Sequence, residues 1–180
     1  MSDSDRFVIE RLRPEHAQGL LDLLNHSVIA HWLGGSRDIA DILKMIDADQ
    51  SRWNSLGYGM LIAVDVGKGK VVARAAVRPV TIEGVEIDEL LYTVDPSRWG
   101  HSLATDLSRD ALNYFFHAKP HGTVYAFTLP ENAASVRVMT KLGLQYERDV
   151  IHAGMRHVLY SGTADMVAAI HNGRAFQAHD

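Results

Sequence analysis

At 180 residues, with 47% hydrophobic and 22% charged side chains, the chain has the makeup of one soluble globular domain with a real core. It contains no cysteine, which excludes disulfides, thiolate metal sites and cysteine nucleophiles. A net charge of −4 with scattered Lys and Arg argues against nucleic acid; the polar start and the lack of an apolar run of ~20 residues argue against a leader and a membrane span, so a cytoplasmic protein is expected.

Phe7 to Leu12 alternates as a short strand. Ala17, Leu20, Leu21 and Leu24 then fall on one helical face, and a second helix is expected from Arg37 to Trp53, buried through Ile39, Ile42, Leu43 and Ile46 and stopped by Gly57. "YGMLIAVDV" and "KVVARAAVRPV" flank Gly67-Lys68-Gly69 and predict a hairpin, and "VEIDELLYTVD" continues it after Glu83-Gly84. Leu103, Leu107, Ala111 and Phe115 predict a helix to His117. "TVYAFT" is a strand, "PENAASVRVMTKLG" a helix closed by Gly143, and "LQYERDV" with "GMRHVLYSG" a final hairpin. The expected fold is α/β (α+β): one mixed, mostly antiparallel sheet of about six or seven strands with about four helices, in a single domain over 1–180. Residues 163–180 are expected to add a short helix and then fray.

Two local features bear on chemistry. In "VEIDELLYTVD" the apolar phase slips, because Val85 and Ile87 share one parity while Leu90, Tyr92 and Val94 share the other. Either a β-bulge splays this fourth strand and frees backbone groups, or the strand is buried on both faces. Next, "PSRWGHSLATD" carries a turn and a glycine into a helix N-terminus, where free N–H groups suit phosphate oxygens. An ordinary strand-turn-helix connection reads the same way. Ten histidines invite a metal reading, but His117 and His121 straddle a helix end, and the odd spacing of His152 and His157 along a strand puts them on opposite faces. No metal is expected.

"ELLYTVDPSRWGHSLATDL" followed by "ENAASVRVMTKLGL" resembles the GNAT superfamily of acetyl-CoA-dependent N-acetyltransferases, and within it the RimJ/RimL-type branch that acetylates protein N-terminal amines. The resemblance spans about residues 6 to 161. It implies that Trp99, Gly100, His101, Ser102, Leu103 and Ala104 hold the pyrophosphate of acetyl-CoA through their amides, with Arg98 as a phosphate partner. Tyr92, Thr93 and Val94 would pair with the pantetheine arm, Asn132 would hydrogen-bond it, and Ser135 would lie near the sulfur. The chain departs from the family loop at Ser97 and Ser102, and Met139 stands where many members carry a tyrosine acid. That shifts the acid role to Ser135 or water.

The implied reaction is direct attack of an amine on the thioester. At pH 7 an α-amine of pKa about 7.8 is roughly one part in seven neutral, and a lysine amine of pKa about 10.4 only about one part in 2,500. An enzyme without a strong base therefore suits an α-amine. Glu89, just before the phase slip, is the first choice as general base, with Asp88 beside it in reserve; a solvated acidic turn edge is the plain alternative. Trp32, Trp53, His31, Tyr92 and His152 are candidate linings of the acceptor site. The acceptor is expected to be a peptide N-terminus; a small-molecule amine, or a non-catalytic acyl-CoA-binding module, are the other readings. The protein is expected to be a monomer or homodimer.

Overall fold

The computed structural model describes residues 7–169. The first alternating segment forms β1 (Phe7–Arg11), and α1 (Ala17–Leu24) buries Ala17, Leu20, Leu23 and Leu24. A six-residue helix, α2 (Ser27–Trp32), follows without any periodic signal long enough to announce it. The expected second helix is α3 (Ile39–Leu56), so it starts inside Arg37 and runs past Trp53. Asp38 fixes its start by accepting the Asp41 N–H at 2.8 Å, and Gly57, with φ 78°, ends it in the left-handed conformation that glycine tolerates.

The central segments form β2 (Met60–Asp65), β3 (Lys70–Ile82) and β4 (Val85–Val94), and α4 (Leu103–Ala118) carries the fourfold apolar spacing. The chain continues through β5 (Thr123–Thr128), α5 (Ala133–Lys141), β6 (Gln145–His152), β7 (Met155–Thr163) and α6 (Ala164–Ala169). Of the extension at 163–180, α6 supplies the short helix and the rest lies outside the described residues. The seven strands follow the order β1-β2-β3-β4-β5-β7-β6. β4 and β5 are parallel, whereas β1/β2, β2/β3, β5/β7 and β6/β7 are antiparallel. The sheet is thus mixed and mostly antiparallel, as expected.

The residues gather into two units: those up to Arg78 with Leu90–Ala118, and Pro79–Glu89 with those from Lys119 onward. In the first unit β2 is covered on both faces, which explains its unbroken apolar run. Met60 and Ile62 pack with Leu20, Leu24, Ile42 and Ile46 from α1 and α3. Leu61 and Ala63 pack with Trp53 and with Leu103, Leu107 and Ala111 of α4. A Leu or Ile buried this fully contributes about 1.5–3 kcal/mol relative to exposure. In the second unit Ile82, Val150 and Leu159 form a core with Val80, Ile87, Tyr125 and Phe127 around it.

Candidate functional site

The connection from β4 to α4 is organised by a carboxylate. Asp95, the residue after the strand, accepts both the N–H and the hydroxyl of Ser97 on Oδ1, at 2.9 and 2.7 Å. Those bonds start a single 3-10 turn at Pro96–Arg98. Its Oδ2 accepts the Lys70 ammonium at 2.9 Å, and its own N–H donates to the Val72 carbonyl. Burial pushes the Asp95 carboxyl up, but Lys70 and the two Ser97 donors outweigh it and hold the group at about 2 instead of 3.8. A lowered carboxyl stabilises the fold above its ordinary range. This contribution, about 2 kcal/mol, is complete by about pH 5 and is lost as the pH falls through about 2.

Past the 3-10 turn, the exposed Trp99 is anchored by its indole N–H, which donates to the Val94 carbonyl at 2.9 Å. Gly100 has φ 83° and Ser102 φ 62°, so the chain takes two left-handed steps before α4. The Asp106 N–H reaches back to the Ser102 carbonyl at 2.9 Å, which makes Ser102 the residue that opens the helix. The first-turn N–H groups behind it have no acceptor within a helix and face outward at the positive end of the dipole. A Cβ on Gly100 would meet nothing within 4 Å, so the space beside the loop is open to an incoming anion. Leu103 and Ala104 pin the helix start to the core of the first unit. The single glycine of the loop, Gly100, is thus supplemented by a serine forced into glycine's conformation. Ser102→Gly should relieve that strain, raising stability by ~1 kcal/mol, read as a Tm increase of roughly 2–4 °C.

Arg98 does not stand over the loop. Its guanidinium pairs with the buried carboxylate of Asp65 and lies 5.4 Å from the Phe7 ring centroid. Asp65 also accepts the N–H groups of Gly67 and Lys68, at 3.0 and 3.1 Å, and so shapes the β2–β3 turn. Of the residues expected to face the pantetheine, Tyr92 packs against the core and Thr93 is buried, with its hydroxyl accepting Arg74 Nε at 3.2 Å. His101 is exposed. Trp32 sits on α2 with His31 edge-on to it at 5.3 Å. Trp53 is a core residue, 8% exposed, with the Arg11 guanidinium 4.0 Å from its ring.

In the second unit the register decides which residues share a face. Glu89 is 7% exposed and is the Cα partner of Tyr125 across β4 and β5. Tyr125 and Phe127 pair with Ser161 and Leu159, and His157 follows on that face of β7. Consecutive residues are buried in β4, Glu89 with Leu90 and Thr93 with Val94, so its burial does not follow strict alternation. Asp88, one step on and so on the other face, is paired with Lys119 at 2.8 Å.

The expectation that His152 and His157 point to opposite faces is corrected. A turn at Ala153-Gly154 reverses the chain between them, so they sit on different strands and the parity rule does not apply. His157 pairs with Val150 and His152 with Met155, which puts both imidazoles on one face, 5.6 Å apart and each packed on Phe127. A carbonyl only accepts, so the 3.0 Å contact of His157 Nδ1 with the Met155 carbonyl fixes the proton on Nδ1. By strand spacing and residue rise this pair lies roughly 15 Å from Glu89. Glu89 and His152 therefore share a face without adjoining. Among the described residues, no group of three or more His, Asp or Glu is arranged to hold a metal ion.

Asn132 caps α5, its Oδ1 accepting the Ser135 N–H at 3.1 Å; the Nδ2 group is not part of that cap. Met139 is fully buried. Sequence reasoning missed Lys70, Asp65, Tyr125 and Phe127. The first two could have been sought only as countercharges to the loop, and the last two follow from pairing β5 with β4.

The loop suits a diphosphate: outward N–H groups, a glycine with open space in front of it, and an aromatic anchor beside it. A family model for the GNAT acetyltransferase domain matches residues 6–145. The Bacillus subtilis protein YkkB, itself uncharacterized, is 26% identical over 128 residues, covering 71% of this chain and 74% of its own. Two solved structures share the fold. yncA of Salmonella typhimurium, solved with acetyl-CoA as its cofactor, has a TM-score of 0.71 at 20% identity, over 88% of this chain and 94% of its own. A ribosomal-protein-alanine N-acetyltransferase from Brucella melitensis has a TM-score of 0.69 at 20% identity, over 87% and 99%. With its family pattern matched over most of its length, the chain belongs to the GNAT acetyltransferases, enzymes that draw their acetyl group from acetyl-CoA.

Proposed function

We propose that this acetyltransferase modifies the α-amine of a protein or peptide N-terminus, as the RimJ/RimL-type enzymes do. The observation that carries the proposal is Glu89, a buried carboxylate and so a weak base for an amine. An acceptor already part-neutral at pH 7 suits such a base far better than a lysine side chain. Met139, fully buried where many relatives hold a tyrosine acid, bears only on the leaving sulfur, whose proton must come from elsewhere. The Brucella neighbour, a ribosomal-protein-alanine N-acetyltransferase, points the same way.

Acetyl-CoA, when bound, supplies an acyl group already activated toward amines. The chain's own residues do the rest. The amides of Trp99 to Ala104 hold the pyrophosphate, the edge of β4 at Tyr92 to Val94 and the free amide of Asn132 hold the pantetheine, and Ser135 donates to the departing sulfur. Glu89 accepts the proton that the amine sheds on attack. His152 contributes to acceptor binding, far enough from Glu89 to meet a peptide beyond its first residue, whereas Asp88, on the opposite face of β4 and paired with Lys119, does not.

Peptides with a free N-terminus, the same peptides with a blocked N-terminus and an internal lysine, and a panel of amino acids and polyamines separate the readings. Release of free CoA with the first set alone is expected. Turnover only with small amines would replace the acceptor assignment. Tight CoA binding without turnover on any amine would make the protein a sensor.

A further inference from the structure

We infer that Lys70 is the countercharge that lets a buried carboxylate shape an anion-binding loop without repelling the anion. The inference rests on reading residues 95–104 as the pyrophosphate cradle, and it concerns how that cradle is made electrostatically acceptable.

Two buried acids shape the loop and the hairpin turn beside it. Asp95 takes the N–H and hydroxyl of Ser97 and so sets the first turn of the connection. Asp65 takes two N–H groups of the neighbouring hairpin turn. Both are nearly inaccessible, at 6% and 2% exposure, and each therefore needs a partner charge. Each has one. Lys70 Nζ lies 2.9 Å from Asp95 Oδ2, and the Arg98 guanidinium is paired with Asp65. The residues bridged are far apart in the chain, and the link between them is the bond from the Asp95 N–H to the Val72 carbonyl, which seats the start of β3 against the loop.

A loop carrying two uncompensated carboxylates would repel a diphosphate. With one cation paired to each acid the two pairs are together neutral, and the N–H groups of α4 are left to act on the anion. The two pairs are not equivalent. Arg98 is largely buried and is part of the packing on Phe7, whereas the Lys70 side chain is 46% exposed and touches the loop through its charge. Altering Lys70 therefore leaves no packing defect, although it removes the stability that the ion pair lends Asp95, and Lys70 acts on the cofactor through Asp95. It is a positioning residue.

The test is a double-mutant cycle read as CoA affinity by calorimetry, with thermal melts to verify folding. Lys70→Met leaves Asp95 charged and unpaired, and should weaken CoA binding about tenfold, an effect that shrinks as ionic strength rises. Asp95→Asn keeps an oxygen for Ser97 and removes the charge, so Lys70→Met added to Asp95→Asn should cost less than about threefold. Lys70→Arg should restore binding. In turnover the loss belongs in the KM for acetyl-CoA, with kcat at saturation moving much less. Two results overturn the inference: Lys70→Met binding CoA as the wild type does, or its loss persisting undiminished in the Asp95→Asn background. Gly100→Pro is the separate control. If that variant keeps its CoA affinity, the cradle reading is what has failed.

Discussion

Glu89→Gln should lower kcat by about 10²–10⁴-fold, the usual worth of a positioned general base, while the KM for acetyl-CoA moves far less. Glutamine keeps the shape and the hydrogen-bonding oxygen of the residue but cannot take up a proton. Glu89 is buried on β4, in register with Tyr125, and Ile87 shares its face. A substitution of equal volume there changes little packing, so a loss of rate reports chemistry. The measurement is kcat at saturating acetyl-CoA and acceptor, which Glu89→Gln should strip of most of its value. Asp88 supplies the discriminating comparison. Its carboxylate is held by Lys119 at 2.8 Å on the other side of the strand, so Asp88→Asn should act weakly. A full-rate Glu89→Gln with an impaired Asp88→Asn would transfer the role to Asp88, and two full-rate variants would leave water as the base.

The sequence made the sheet legible wherever a turn glycine marks the reversal, as at Gly67-Lys68-Gly69. It was silent on α2, whose six residues give less than two turns of periodicity. The loop at 95–104 was legible as a motif because the donors are backbone groups of consecutive residues. Its supports were not. Lys70 and Asp65 reach it only because the β2–β3 hairpin folds back beside it, and no local pattern encodes that. The histidine parity argument failed for a related reason. It assumed one strand where Ala153 and Gly154, with φ 49° and 75°, make a turn. Arg98, read from its place in the motif as a phosphate ligand, is drawn by Asp65 into the interior of its unit, a pairing between residues 33 positions apart.

Gly100→Pro should weaken acetyl-CoA binding by roughly 10²–10³-fold with the rest of the fold intact. Two independent terms add. Gly100 sits at φ 83°, and proline's ring holds φ near −65°, so the loop must leave its conformation or carry strain of about 1–3 kcal/mol. Proline also removes one N–H from a row aimed at a charged ligand, a bond worth about 1.5–3 kcal/mol. Since the loop relaxes part of the strain, the two together come to roughly 3–4 kcal/mol, which is the stated range in Kd. Gly100→Ala isolates the first term, because alanine keeps the N–H and its Cβ would meet nothing within 4 Å. That variant should lose about tenfold. Calorimetry with CoA on all three proteins reads the effect without any acceptor amine. The core is not expected to respond, since Gly100 is exposed and α4 is pinned by Leu103 and Leu107 beyond it. Equal losses for alanine and proline would mean that conformation alone matters at this position and the N–H does not meet the ligand. No loss in either would remove the cradle from the loop altogether.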